Sequence, residues 1–209
     1  MPRSGAGRSL FVVLVVAAAL AGWWFYPRGD PRTQPTAGRT VIAFGDSLVD
    51  GTGATPGRDF VSLLAARTGV PIINAGRRGD TTADALARLD RDVLARDPRV
   101  VIVLLGGNDF LRRVPRERTF ENLSRIVERI RARGAGVILA GVSLGLLVDT
   151  YGDGYSEIAR RTSSVLVGDV LDGILGRADM TVDQIHPNDR GYALVADRIE
   201  PALQTMLGR

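Results

Sequence analysis

The sequence contains no cysteine, no lysine and a single histidine, His186. Without cysteine, neither a disulfide framework nor a thiolate metal site can form. Without lysine there is no Walker-type phosphate-binding lysine, and no G-x-G-x-x-G run follows a strand-like segment, so the pattern argues against a nucleotide-binding domain. If the protein carries out a histidine-dependent reaction, only one side chain can serve as the proton shuttle.

The formal net charge of +4 is unevenly distributed along the 209 residues. Residues 1–39 hold five arginines against one aspartate, and the remaining 22 basic and 22 acidic residues balance. The excess positive charge therefore belongs to the N-terminal segment and gives little support to nucleic-acid binding. We expect no nucleic-acid partner.

The N-terminal 26 residues have the pattern of a signal peptide or membrane anchor. Two arginines and no acidic residue in positions 1–9 precede an apolar run over positions 10–26. Ala19-Leu20-Ala21 fits a signal-peptidase site, whereas Trp23-Trp24-Phe25-Tyr26 is typical of an interfacial aromatic belt and slightly favours an uncleaved anchor. Both interpretations place the rest of the chain outside the cytoplasm, either periplasmic or attached to the membrane.

The rest of the chain reads as a linker followed by one α/β domain. Residues 27–38 hold three prolines and predict the linker, and residues 39–209 predict the domain. In the domain, apolar β-rich runs alternate with helical patterns, as in a parallel sheet covered on both faces. Strands are predicted at 40–45, 70–74, 99–105, 135–141 and 164–168, and helices at 58–68, 81–96, 118–133, 153–162 and 188–206. Thr81 with Asp84 suggests a capping box, and the helix over 118–133 has an apolar stripe, made of Leu123, Ile126, Val127 and Ile130.

The loops that follow these strands carry an ordered set of polar motifs. They are Gly45-Asp46-Ser47-Leu48, the run Asn74 to Thr81, Gly106-Gly107-Asn108-Asp109 and, near the C-terminus, Asp183-Gln184-Ile185-His186. This set resembles the SGNH (GDSL) hydrolase superfamily, closest to its bacterial periplasmic thioesterase, arylesterase and lysophospholipase branch. The resemblance implies a three-layer α/β/α sandwich of flavodoxin-like topology with a five-stranded parallel sheet. The ligand site of such a sheet lies beyond the carboxyl ends of the strands.

Three residues supply the parts of a nucleophilic serine mechanism. A serine hydroxyl is a poor nucleophile at neutral pH, so Ser47 needs a base to take its proton. His186 titrates in the required range, and Asp183, three residues upstream, can orient the imidazole. The alternative for a lone histidine is an ordinary core or surface side chain.

The resemblance assigns an oxyanion hole to the backbone N–H groups of Ser47 and Gly79 and to the side-chain amide of Asn108. The alternative is that Gly79 is an ordinary turn glycine and Asn108 a turn or cap residue. Asp46, Asp80 and Asp109 admit a rival interpretation as ligands of a divalent cation, against a simpler role in which each holds its own loop by accepting backbone hydrogen bonds. The serine mechanism requires no cofactor, and we expect no metal.

Two further segments bear on substrate binding. Leu144, Leu146 and Leu147 are candidates for an acyl-chain groove, although they could equally close the core. Four arginines soon after Asn108 could attract an anionic head group or could be a solvated helix entry. They are Arg112, Arg113, Arg116 and Arg118.

These residues together predict a serine esterase that acts on a small ester or lipid substrate through an acyl-serine intermediate. The resemblance implies short or medium acyl, aryl or lysophospholipid esters, and possible action on thioesters. The alternative enzyme is a carbohydrate O-acetylesterase or O-acyltransferase that acts on exported glycan. The non-enzyme alternative is a membrane-tethered binding module. The oligomeric state is not predicted.

Overall fold

Five parallel strands form the centre of the structure, a computed structural model that describes residues 38–143 and 150–209. The strands are β1 (Thr40–Gly45), β2 (Ile72–Gly76), β3 (Pro98–Leu104), β4 (Gly136–Gly141) and β5 (Val165–Asp169). They are arranged in the order β2-β1-β3-β4-β5. This is the flavodoxin-like order, in which the connections reverse direction between β1 and β3 and leave a crevice at the carboxyl edge.

The three central strands are buried on both faces, which explains their uninterrupted apolar sequences. Residues 41–44 of β1, 100–104 of β3 and 137–140 of β4 are all buried. The edge strands β2 and β5 are only partly covered and include exposed positions. A continuous apolar run is therefore the sign of a central parallel strand in this protein.

Helices cover both faces of this sheet. They are α1 (Ser47–Asp50), α2 (Phe60–Thr68), α3 (Thr82–Asp92), α4 (Gly107–Leu111), α5 (Arg116–Arg131), α6 (Thr150–Thr162) and α7 (Asp189–Leu207). Helix α2 packs against α7 in one layer, whereas α5 packs against both α3 and α6 in the other. Right-handed crossovers between parallel strands place the helices in these two layers. The predicted α/β/α sandwich is thus confirmed.

The apolar faces expected on the helices lie against the core. In α5, Leu123, Ile126, Val127 and Ile130 are fully buried. Helix α3 begins with the predicted capping box, in which the Thr81 hydroxyl accepts from the Asp84 backbone N–H and the Asp84 carboxylate accepts from the Thr81 backbone N–H. Both features were expected from the sequence alone.

Several predicted boundaries were wrong by a few residues. Strand β2 begins at Ile72 rather than at 70, because Gly69 ends α2 in a left-handed conformation and Pro71 follows. The helix predicted over 81–96 ends at Asp92, and a separate 3-10 turn covers Leu94–Arg96. Strand β1 has its predicted bounds, and the other boundaries differ from the predicted ones by three residues or fewer. The short helices α1 and α4 were not predicted.

The predicted acyl groove at Leu144, Leu146 and Leu147 and the N-terminal segment of residues 1–26 lie outside the described residues. Within 38–143 and 150–209, no helix is long and apolar enough to cross a membrane. The membrane segment, the linker and the groove stay predictions.

Candidate active site

Ser47 lies just after the end of β1, at the start of a short helix. β1 ends at Gly45, Asp46 is the N-cap of α1, and Ser47 is the first residue of that helix. The Asp46 carboxylate accepts a hydrogen bond from the Leu48 backbone N–H at 3.0 Å. Because the first N–H groups of a helix have no acceptor within it, the Ser47 N–H can face a ligand.

His186 comes from the opposite end of the domain and reaches Ser47. Its Nε2 lies 3.1 Å from Ser47 Oγ, across 139 residues of sequence. The loop that carries it is held by a bond from Val182 N–H to the His186 carbonyl and by Asn188, which caps α7 immediately afterwards. The carboxyl edge of the sheet therefore brings the predicted nucleophile and base within hydrogen-bonding distance.

Asp183 fixes the other nitrogen of the same imidazole. Its Oδ2 lies 2.7 Å from His186 Nδ1. Its Oδ1 accepts from the backbone N–H groups of Ile185 and His186 at 2.9 and 2.7 Å. The hydrogen bond from His186 and these backbone donors lower the pKa of Asp183 to about 2. The carboxylate is therefore charged at the pH values at which histidine titrates.

Two of the three candidate oxyanion donors, Ser47 and Asn108, line one cleft. Asn108 lies at the start of α4 and lines the cleft with Ser47 and His186. Its Nδ2 donates to the Asp80 carbonyl at 3.1 Å, which places the amide beside the Gly79–Asp80 segment. Gly79 has a φ of +78°, which an L side chain rarely adopts. Its carbonyl accepts from Arg112 Nη2 at 2.7 Å.

The three aspartates with the rival metal interpretation have separate partners. Asp46 holds its own loop through Leu48, as expected. The expectation that each aspartate accepts backbone hydrogen bonds within its own loop was wrong for the other two. Asp80 pairs with the Arg88 side chain. Asp109 accepts hydrogen bonds from the backbone N–H and the hydroxyl of Thr82, which lies in a different loop. Among the described residues, no group of three or more histidine, aspartate or glutamate side chains could hold a metal ion.

The buried Arg88 is a supporting residue that sequence reasoning missed. Its guanidinium donates to Asp80 Oδ2 at 2.5 Å, to the Gly45 carbonyl at 2.8 Å and to the Ala75 carbonyl at 3.0 Å. It also lies over the Phe44 ring at 4.5 Å. Its burial could have been predicted from the sequence, because it lies beside Leu89 and three residues after Ala85, on the apolar face of a helix.

The cleft beside Ser47 and His186 has an apolar wall. The residues of this wall come from the segments that follow β1, β3, β4 and β5, and they are Leu48, Leu111, Val142, Leu171 and Ile185. Leu111 is 49% exposed, which is unusual for leucine and leaves it available for contact. Of the four arginines after Asn108, Arg116 begins α5 and Arg118 lies in its first turn, which agrees with a helix entry.

The sheet order, the serine at the end of β1 and its contact with histidine define a hydrolase of the α/β/α class. The chain belongs to the GDSL-like lipase/acylhydrolase family, whose model matches residues 43–194. It is a serine ester hydrolase.

Named relatives agree with this family. Esterase TesA from Pseudomonas aeruginosa is 30% identical over 84% of this chain and 92% of its own length. Thioesterase 1/protease 1/lysophospholipase L1 from Escherichia coli strain K12 is 29% identical over 83% of this chain and 88% of its own. The crystal structure of TesA superposes with a TM-score of 0.74 at 30% identity, covering 80% of this chain and 99% of that one. An acetylxylan esterase from Geobacillus stearothermophilus is 25% identical over 77% of this chain and 91% of its own length.

Proposed function

We propose that the protein is an exported serine esterase that hydrolyses acyl, aryl or lysophospholipid esters through an acyl-Ser47 intermediate. In this proposal His186 transfers the proton and Asp183 orients it. The observation that carries the proposal is the pair of contacts from His186, 3.1 Å to Ser47 Oγ and 2.7 Å to Asp183 Oδ2. This is the arrangement that activates a serine hydroxyl at neutral pH.

Acylation begins when Ser47 Oγ attacks the ester carbonyl carbon and its proton passes to His186 Nε2. The carbonyl oxygen becomes an oxyanion, which the Ser47 and Gly79 N–H groups and the Asn108 amide stabilise. The carbon–oxygen bond to the alcohol then breaks, and His186 returns the proton to the departing oxygen. Asp183 stabilises the imidazolium while it exists, because its carboxylate is charged and only 2.7 Å away.

Deacylation repeats the sequence with water as the nucleophile. Once the alcohol has left, a water molecule gives its proton to His186 and attacks the acyl carbon. Collapse of the second tetrahedral intermediate releases the carboxylic acid and restores the Ser47 hydroxyl. No step requires a group from outside the described residues other than substrate and water.

The apolar wall of the cleft and the names of the relatives favour acyl esters and lysophospholipids among the possible substrates. The wall gives an acyl chain apolar surface next to the nucleophile. Thioesters are chemically accessible to the same residues, and a relative is named a thioesterase. The export pattern in residues 1–26 supports a location outside the cytoplasm, where esters and lysolipids are more abundant than coenzyme A thioesters.

A fluorophosphonate probe tests the proposed nucleophile. Full-length protein in detergent is treated with the probe, and the adduct is located by mass spectrometry. We expect the label on Ser47, and we expect both Ser47→Ala and His186→Ala to abolish it. Ser156→Ala, which removes an exposed serine from α6, is the matched control and should label normally. A folded wild-type protein that stays unlabelled would favour the binding-module alternative.

The second candidate function is a carbohydrate O-acetylesterase. The similarity to an acetylxylan esterase favours it, and the same nucleophile, base and oxyanion donors would serve. Rates on p-nitrophenyl esters from acetate to palmitate, compared with acetate release from acetylated xylan, separate the two. A preference for medium chains supports the acyl esterase. Activity confined to acetate esters and acetylated glycan contradicts it.

A further inference from the structure

The segment between α1 and α2 lies against the loop that carries His186. Near the start of this segment, the Thr52 N–H donates to the Ser47 carbonyl at 3.0 Å. Further along, Thr55 bonds to Asp189, which is the first residue of α7 and the third residue after His186. The segment therefore connects the helix of the proposed nucleophile to the loop of the proposed base.

Both oxygens of the Asp189 carboxylate bind Thr55. Oδ1 accepts from the Thr55 backbone N–H at 2.7 Å, and Oδ2 accepts from the Thr55 hydroxyl, also at 2.7 Å. The backbone N–H and then the hydroxyl of Thr55 lower the pKa of Asp189, as expected for donors that favour the charged carboxylate. Two bonds between the same two residues fix their relative orientation as well as their distance.

Capping of α7 does not account for this contact. Asn188 is the N-cap, and its Oδ1 accepts from the backbone N–H groups of Arg190 and Gly191. An acidic side chain in the first turn also interacts favourably with the helix dipole, but that effect requires charge and no particular partner. The Asp189 carboxylate instead bonds to a residue 134 positions away in the sequence. The contact therefore joins two loops of the fold.

Gly53 shows how closely the two segments approach each other. It has a φ of +99°, and a Cβ placed on it would lie 2.5 Å from the Pro187 carbonyl oxygen and 3.5 Å from His186 Cβ. Behind this point, the hydroxyl of Tyr192 in α7 donates to the Thr52 carbonyl at 2.8 Å. Because the segments are in direct contact, a shift of one against the other would move the imidazole relative to the serine hydroxyl.

We propose that Thr55 and Asp189 form a clamp that holds the loop of His186 against the segment after Ser47 and so sets the separation of Nε2 and Oγ. Asp189 is a positioning residue, since its carboxylate bonds to Thr55 and not to a reacting atom. The inference rests on the proposed function, because it takes His186 as the base. Loss of the clamp should lengthen the 3.1 Å contact and slow proton transfer while every reacting group stays present.

Two substitutions of Asp189 in the full-length enzyme separate the clamp from the charge. Asp189→Ala removes both bonds to Thr55. Asp189→Asn removes the charge but can keep both contacts, since its oxygen accepts from the Thr55 N–H and its NH₂ donates to the hydroxyl oxygen. We expect Asp189→Ala to lower kcat on p-nitrophenyl butyrate by about 10-fold with KM within about 3-fold, and Asp189→Asn to stay within about 3-fold of wild type.

The reaction of Ser47 with a fluorophosphonate probe is the second measurement. Its rate depends on removal of the serine proton by His186, so Asp189→Ala should also slow labelling by about 10-fold. A wild-type kcat or labelling rate in Asp189→Ala would overturn the proposal. Equal losses in Asp189→Ala and Asp189→Asn would overturn it too, because the charge at the start of α7 would then explain the effect. If Asp189→Ala does not fold, as judged by near-ultraviolet circular dichroism, Asp189→Ser replaces it, since serine is too short to bind both groups of Thr55.

A double-mutant cycle with Thr55→Ala shows whether the loss passes through the contact. Thr55→Ala deletes the hydroxyl and keeps the backbone N–H, so we expect it to lower kcat by about 3-fold. The double variant should be within about 2-fold of Asp189→Ala alone, because the two residues act through one contact. Losses that multiply, to about 30-fold, would contradict the clamp.

Asp197→Ala is the matched control on the same helix. Asp197 also joins α7 to a neighbouring segment, through Arg67 Nη1 of α2 at 2.7 Å, but it lies further from His186 in the sequence. Its kcat should change less than about 2-fold, and a loss equal to that of Asp189→Ala would overturn the proposal. A wild-type enzyme without activity or Ser47 label contradicts both the proposed function and the clamp. An active, labelled wild type with an unaffected Asp189→Ala contradicts only the clamp.

Discussion

Asp183 contacts the imidazole of His186, the proposed base, while its other oxygen bonds only within its own loop. Its Oδ1 accepts two backbone N–H groups from its own loop, and its Oδ2 faces the imidazole of His186. The loop is thus closed by the same side chain that orients the ring. The Asp-x-x-His spacing allows this because the backbone N–H groups two and three residues later fall within reach of the aspartate.

We predict that Asp183→Asn lowers kcat by at least about 10²-fold. An asparagine can turn its NH₂ toward Nδ1 and favour the wrong tautomer, and the equivalent change in the serine-protease triad, a documented case, costs about 10⁴-fold. The measurement is kcat on p-nitrophenyl butyrate. Asp179→Asn, which alters an exposed aspartate paired with Arg177 and Arg190, is the control. Equal effects of the two changes would contradict the assignment of Asp183.

We predict that Asp46 makes the unfolding free energy depend on pH. Its pKa rises from 3.8 to about 6 on folding, so the folded chain binds this proton more tightly and its stability falls as pH rises through that window. The free energy of unfolding of Asp46→Asn relative to wild type should rise by up to roughly 3 kcal/mol between pH 4 and pH 7. Urea unfolding across this range measures it. A difference in unfolding free energy that does not change with pH would show that burial does not raise the pKa of Asp46.

At the scale of elements, helix α3 supports the carboxyl ends of two strands. Arg88 donates to the last residue of β1, Gly45, and to Ala75 in β2, and it pairs with Asp80 beside Gly79. The side chain is 6% exposed, so these bonds lie in a poorly solvated environment. A cation that satisfies three acceptors at the end of the sheet keeps the loops that bear Ser47 and Gly79 in a fixed relation.

We expect Arg88→Met to lower the free energy of unfolding by about 3–5 kcal/mol, because it leaves a buried aspartate and two carbonyls without their donor. Urea unfolding followed by far-ultraviolet circular dichroism measures the change. Arg91→Met removes an arginine that is 73% exposed on the same helix and should cost less than about 1 kcal/mol. Similar losses in the two variants would show that the buried contacts add nothing.

Sequence reasoning predicted the elements that depend on local patterns and missed those that depend on tertiary contacts. Local sequence patterns were enough for three features. Apolar runs predicted the central strands, helical periodicity predicted the apolar stripe of α5, and the Thr81–Asp84 pair predicted the capping box. Helices α1 and α4 are too short to show a period, and they form because the loops around them are held at the edge of the sheet. The partners of Asp80 and Asp109 lie in other elements, so no local pattern could identify them.

At the scale of the whole molecule, residues 38–143 and 150–209 contain the proposed nucleophile, the proposed base and the candidate oxyanion donors. The sheet order places the loops after β1, β2 and β3 next to one another, and the loop before α7 joins them. The predicted membrane segment and linker contribute none of these groups. Catalysis and membrane attachment are therefore expected to be separable.

Removal of residues 1–37 should yield a soluble enzyme with kcat within about 3-fold of the full chain. The full chain should partition into the detergent phase of Triton X-114 and the truncated chain into the aqueous phase, because the apolar run over residues 10–26 is removed. An insoluble or inactive truncated chain would contradict the proposed domain boundary. A mature protein that begins at Gly22 by mass spectrometry would instead indicate a cleaved signal peptide.

Ser47 and His186 are 139 positions apart in the sequence, so the proposed enzyme is expected to be inactive during its own synthesis. In a growing chain, Ser47 is synthesised before His186. In an unfolded chain, the imidazole is present but is not held near the serine hydroxyl. Such a chain is therefore expected to leave esters unhydrolysed. Ester hydrolysis is expected only once the loop before α7 has packed against the end of β1. The activity therefore depends on the completion of folding.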